Sequence, residues 1–134
     1  MEIIIYTQIN NAHKDKLLKE ISQIINLTPV MVFDFEILFN FLKSKRSGQV
    51  VIVFLISEIE ELEFLISNKV NLFNSRIILI LPDRDDNFVS KGLSLYPRFH
   101  SHVNYGFKDV SAVLNKMIQN HALEEKNTIN LKIS

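Results

Sequence analysis

The chain has no cysteine among its 134 residues, which removes disulfides, thiolate metal sites and cysteine nucleophiles together and fits the reducing cytoplasm. It also has no excess charge of either sign, with Lys plus Arg equal to Asp plus Glu at 15 each. Without a global field nothing draws it to nucleic acid or to an anionic membrane, so protein or small-molecule partners are expected. No apolar run approaches the roughly 20 residues that span a bilayer. The N-terminus carries neither the basic segment nor the apolar core of a signal peptide. The expectation is a soluble, cytoplasmic protein with no membrane partner.

What is present is apolar and regularly spaced. Apolar residues make up 47% of the chain, enough for one ordinary domain that buries roughly 68% of its unfolded surface. Val50 to Ile56 is an unbroken apolar run between Ser47-Gly48-Gln49 and Ser57-Glu58. Such a run, rich in β-branched residues and without polar alternation, predicts a strand buried on both faces. Arg76 to Leu81 and Glu2 to Thr7 are runs of the same kind, whereas Val30 to Phe33 is shorter, as an edge strand would be. Arg98 to Asn104, after Tyr96-Pro97, is the fifth predicted strand.

Helical stripes fall between the strands. Leu17, Leu18, Ile21, Ile24 and Ile25 share one face, with Asn10 or Asn11 as the cap and Asn26 as a left-handed stop before Thr28-Pro29. Asp34 caps a helix bearing Phe35, Leu38, Phe39, Phe41 and Leu42, with Lys43, Lys45 and Arg46 at its negative end. Ser57 and Glu60 have capping-box spacing ahead of Ile59, Leu62, Leu65 and Ile66. A short helix with Phe88, Val89 and Leu93 is weakened by Gly92, and a last one carries Val110, Val113, Leu114, Met117 and Ile118.

Strand and helix thus alternate five times, which requires right-handed crossovers and helices on both faces of a parallel sheet. The predicted fold is a flavodoxin-like α/β three-layer sandwich of strand order 2-1-3-4-5. Its crevice lies at the carboxyl ends of strands one and three, between Thr7–Asn11 and Ser57–Glu60.

Over Met1 to about Ala122 this pattern resembles the receiver domains of response regulators. It does so through Ile3-Ile4-Ile5-Tyr6-Thr7, Val30-Met31-Val32-Phe33 with the Leu38/Leu42 helix, Val50 to Ile56, Ile77 to Leu81, and the Val113-Leu114 helix. The family's working residues are replaced. Tyr6, Thr7 and Gln8 stand where receivers carry a magnesium-binding acidic pair, and Phe54, Leu55 and Ile56 where the phosphorylated aspartate belongs. Leu81-Pro82 replaces the hydroxyl residue, and no lysine occurs between His102 and Tyr105. Phosphoryl transfer needs a carboxylate nucleophile and a cation, so Thr7, Gln8, Leu55 and Leu81 mark a degenerate pocket with no phosphoacceptor. The resemblance implies a pseudo-receiver.

Other chemistry finds little support. Asp83, Asp85 and Asp86 make a solvated acidic loop rather than a cation site, since hard cations draw ligands from several segments. His100 and His102 share a strand face without a third ligand. The Thr7-Gln8-Ile9-Asn10-Asn11 turn lacks the glycine of a flavin loop, and Ser57 lacks the flanking glycines of a nucleophile turn. No catalytic residue, metal or cofactor is assigned. Phe99, His102, Tyr105 and Phe107 form the candidate interaction face, in the region receivers use to dimerise. Ile129, Leu131 and Ile133 alternate with polar residues in a 123–134 tail, predicting an extra strand at 128–134 that pairs with a sheet edge or is disordered.

The reading is a non-enzymatic signalling domain acting by protein contact, dimerising with itself. The alternative is a small-molecule or nucleotide-binding domain with a polar, open pocket between Thr7 and Ser57. Third is a phosphoacceptor that uses an unrecognised carboxylate.

Overall fold

A computed structural model describes residues 1–24, 26–45 and 48–133, the last six as backbone alone. Ile25, Arg46 and Ser47, together with the side chains of Ile129, Leu131 and Ile133, lie outside the described residues. The strands are β1 (Glu2–Thr7), β2 (Val30–Val32), β3 (Val50–Leu55), β4 (Arg76–Leu81) and β5 (Phe99–His102). The helices are α1 (Lys14–Ile21), α2 (Phe35–Leu42), α3 (Ile59–Ser67), α4 (Asp86–Leu93) and α5 (Lys108–Ile133). Every strand pair is parallel and the order is 2-1-3-4-5, the flavodoxin-like arrangement.

The central strand is the apolar run expected to organise the chain. All of Val50 to Leu55 is buried, because its odd and even residues meet different layers. Val51, Val53 and Leu55 join Ile3, Ile5, Ile78 and Ile80 under α1 and α5, where Leu17, Ile21, Val110 and Leu114 close an aliphatic core. Val50, Ile52 and Phe54 join Ile4, Tyr6, Ile77 and Leu79 under α2, α3 and α4, a layer into which Phe35, Phe39 and Phe88 pack. Two-sided burial is what a parallel sheet requires of its middle strands.

Local signals explain most boundaries. Asp34 caps α2 by accepting from the Ile37 amide at 3.1 Å. Asn26 does adopt a left-handed φ of 63°, but it does not end α1, which stops at Ile21 with Ser22 as its C-cap, short of the expected Ile24 and Asn26. Gly92 lets α4 approach the sheet, since a Cβ there would meet Leu79 Cδ1 at 3.1 Å. Its value is in close contact, beyond any weakening of the helix.

Four further expectations are corrected. The capping box of α3 is one residue later than the Ser57/Glu60 spacing suggested: Glu58 is the N-cap and Glu61 the reciprocating residue. Asn11 does not cap α1 directly, because His13 holds that position without a side-chain bond. β5 stops at His102, and Val103–Tyr105 forms a 3-10 turn. The 128–133 backbone is helical rather than a strand. Extending an existing helix adds one hydrogen bond per residue fixed, whereas an added strand needs a partner edge.

Candidate functional site

The crevice sits at the topological switch point, where β1 and β3 lead to opposite faces of the sheet. Gln8, Asn10, Asn11, His13, Ser57 and Glu58 line a cleft of about 370 Å³, with Ile56, Pro82 and Val103 as its apolar part. This is the location expected from the strand order, between the 8–13 and 57–58 segments.

Its lining is tied together by hydrogen bonds. Asn11 Nδ2 donates to Ser57 Oγ at 2.7 Å, across 46 positions of sequence. The other end of the same amide, Oδ1, accepts from the His13 amide at 2.8 Å. One nearly buried side chain therefore clamps the β1–α1 turn to the β3–α3 turn. Thr7 is fully buried, and its hydroxyl donates back to the Gln8 carbonyl at 3.1 Å.

Behind the Ser57 wall lies Glu61, only 5% exposed. Its Oε1 accepts from the amides of Ser57 at 2.8 Å and Glu58 at 2.9 Å, satisfying donors that the first turn of a helix leaves free. Oε2 is buried and has no hydrogen-bond partner among the described residues. Burial raises the Glu61 pKa above its usual 4.5, while the two backbone bonds and the nearby Tyr6 hydroxyl pull it down and Glu58 adds to the rise. Burial also raises the Tyr6 phenol, with the Glu61 charge as the next cause. Tyr6 and Glu61 thus face each other electrostatically, although no hydrogen bond of good geometry satisfies Oε2. The Tyr6 ring stacks on Phe35 at 4.2 Å between centroids, and Phe35 stacks on Phe64 at 4.9 Å.

The degenerate pocket positions divide. Gln8 lines the cleft, whereas Thr7, Leu55 and Leu81 are buried at 1% exposure or less and belong to the body of the sheet. The acidic loop is used for turn formation: Asp83 Oδ1 accepts from the Asp85 amide at 2.8 Å, and Asp85 Oδ1 from the Asn87 amide at 2.9 Å, capping α4. The two strand-five histidines separate as well. His100 is exposed, while His102 is nearly buried and its Nδ1 donates to the Asp83 carbonyl at 2.8 Å. Among the described residues no group of three His, Cys, Asp or Glu has metal-binding geometry.

The candidate interaction face does not survive as a surface. Phe107 is 3% exposed and sits in the aliphatic core, with Phe99 packed against that same core. Large aromatics on the inner side of β5 and at the start of α5 gain more from that layer than from water. Only Tyr105, 54% exposed, remains outside; its ring carries the Arg84 guanidinium at 4.4 Å and meets His102 edge-on at 5.5 Å.

The geometry defines the class of protein as a flavodoxin-like α/β domain whose switch-point crevice is polar at its mouth and apolar beneath. Comparison with protein-family models, curated proteins and solved structures gave no match to the chain. No helix among the described residues is long and apolar enough to cross a membrane.

Proposed function

We propose that this domain is a receiver-like signalling module of bacterial type that acts by protein contact and performs no phosphoryl chemistry. The observation that carries this reading is the carboxyl end of β3, where Leu55 and Ile56 are buried at 0% and 1% exposure. A nucleophilic carboxylate at that point needs solvent, a cation and a phosphodonor within reach. A buried apolar pair, Leu55 within the sheet and Ile56 in the cleft lining, offers none of these. Self-association through the Tyr105 end of β5 is part of the proposal, with Tyr105 and its stacked Arg84 as the exposed anchor, residue types enriched at interfaces.

Incubation with acetyl phosphate and magnesium, followed by intact mass, tests the central claim. The mass is expected to stay unchanged, and a stable phosphoryl adduct overturns the reading. Light scattering across a concentration series tests the dimer, which Tyr105→Ala should weaken.

A second reading is favoured by the cleft itself. Its polar lining from Gln8, Asn10, Asn11, Ser57 and Glu58 has the position and composition of a small-ligand site in this fold. A thermal-shift screen with nucleotides and flavins separates the two readings: a saturable rise in melting temperature, abolished by Asn11→Ala, would favour ligand binding.

A further inference from the structure

At the opposite end of the sheet, about 20 Å away by strand length, a second groove of about 390 Å³ opens at the amino ends of β4 and β5. Its floor is Leu72, Ile77 and Leu95, all buried. Its walls are Phe73 and Tyr96, which are 86% and 85% exposed. Val70, at 78%, stands on the same 3-10 turn (Lys69–Leu72) as the floor residue Leu72. Two such aromatic side chains together offer roughly 300 Å² of apolar surface, the scale of a functional patch rather than of scattered exposed residues.

Tyr96 is held there against backbone preference. Its φ is 54°, and it is one of two described non-glycine residues with positive φ, the other being Asn26. Asparagine tolerates the left-handed region, whereas tyrosine is strained there. The side chain repays none of that strain by burial.

The rim is cationic. Lys69 and Arg98 line the groove with no carboxylate beside them in its lining, and among the described residues neither is paired in a salt bridge. Lys69 instead lies over the Tyr96 ring at 5.6 Å. The bias continues in the flanking sequence: residues 64–82 and 87–98, which include the groove's lining, contain Lys69, Arg76, Lys91 and Arg98 and not one Asp or Glu. Glu124 shares an adjoining groove with Arg76 and Arg98, and the local balance stays positive. In a chain with no net charge, this is a concentrated field.

We propose that the groove between Phe73 and Tyr96 docks an acidic segment of a partner protein whose apolar side chains enter between the two rings. The proposal rests on the reading of the domain as a protein-contact module and names the chemistry of its partner. A two-fold pairing of this face with itself is disfavoured, because it sets Lys69 and Arg98 of one copy against the same cations of the other. Aromatic and arginine residues around a desolvated pocket are the usual anchors of such contacts, with flanking charge setting partner choice.

The test titrates the isotope-labelled full chain with a synthetic amphipathic peptide bearing Leu and Phe on one face and Glu elsewhere, and with its Glu-to-Lys counterpart. The expected result is saturable shifts confined to residues 69–77 and 93–98 with the acidic peptide alone. Arg98→Glu and Phe73→Ser should each weaken binding about tenfold or more, as anchor residues do, with the circular dichroism spectrum unchanged. Equal binding of the basic peptide, shifts elsewhere, or no shift at about 1 mM peptide, beyond which affinity is negligible, overturns it. So does preferential binding of a single-stranded oligonucleotide, or head-to-tail polymerisation of the chain alone that Arg98→Glu suppresses. None of these outcomes alters the mass after acetyl phosphate treatment, so the groove can fail while the receiver-like reading stands.

Discussion

The two ends of the sheet are built on opposite plans. At the carboxyl end, polar side chains at the crevice mouth bond to one another, as Asn11 does to Ser57, beside the buried Ile56 of the cleft lining. At the amino end the mouth is apolar and cationic, with Phe73 and Tyr96 left almost wholly in water. In this fold the carboxyl end is where ligands and chemistry are ordinarily found. Here the polar side chains of that end are tied partly to one another, and the larger exposed aromatic surface is at the other end.

The contrast breaks most severely if charge is planted under the crevice. Leu55→Asp places a carboxylate near the end of β3, yet its site is fully buried, so a destabilisation of about 4 kcal/mol or more is expected from an unpaired buried charge or its neutralisation. Urea denaturation measures it; a stable, phosphorylatable variant would show that the crevice is one substitution from activity.

Glu61 comes next. Glu61→Ala leaves the Ser57 and Glu58 amides without the acceptor they now share, at a cost of about 2 kcal/mol. The pH dependence has a definite sign. Because the folded-state pKa is raised above 4.5, the carboxyl is protonated in both states below that value and no penalty exists. As pH climbs through the raised pKa the folded state must ionise a buried group, and stability is lost. Glu61→Gln keeps an acceptor and cannot ionise, so its stability relative to the wild type should grow as pH rises from 4.5. A difference that stays flat across that range means the carboxyl titrates normally.

Asn11→Ala removes the clamp between the two crevice turns and should cost about 1 kcal/mol, while increasing hydrogen exchange in both turns. At the other end the expected signs reverse. Tyr96→Gly relieves the positive φ and should raise stability by about 0.5 to 1 kcal/mol, and Phe73→Ser should change it by less than about 0.5 kcal/mol. A larger loss from either would mean these rings hold the fold, and the distinction between a satisfied end and an unsatisfied one would fall.

How legible these ends were depended on sequence range. The strand cores were plain, since a continuous apolar run such as Val50 to Ile56 has no other comfortable position than between two layers. Asp34 was readable because a cap acts on its own neighbours, whereas Asn26, left-handed as expected, lies beyond the end of α1 at Ile21. The location of the crevice followed from strand order. Its content did not: the Asn11 amide meets Ser57 only once β1 and β3 lie side by side. Glu61 could have been found from the Glu58/Glu61 spacing, the same box one residue along, but its burial beside Tyr6 arises only once α3 packs on the sheet. Phe99 and Phe107 failed as surface residues for the same reason, because period alone does not tell the inside of an edge strand from the outside. The groove's trace in the sequence is two long stretches without an acidic residue.

The amino-acid order alone determined the layers, the alternation of strand and helix and the apolar residues at the carboxyl end of β3, since these depend on periodicity and residue type over a few neighbours. Only the folded chain decided that Asn11 would close one mouth and that Phe73 and Tyr96 would flank another. Contacts between segments far apart in sequence exist only after the parallel sheet brings the ends of its strands to common edges.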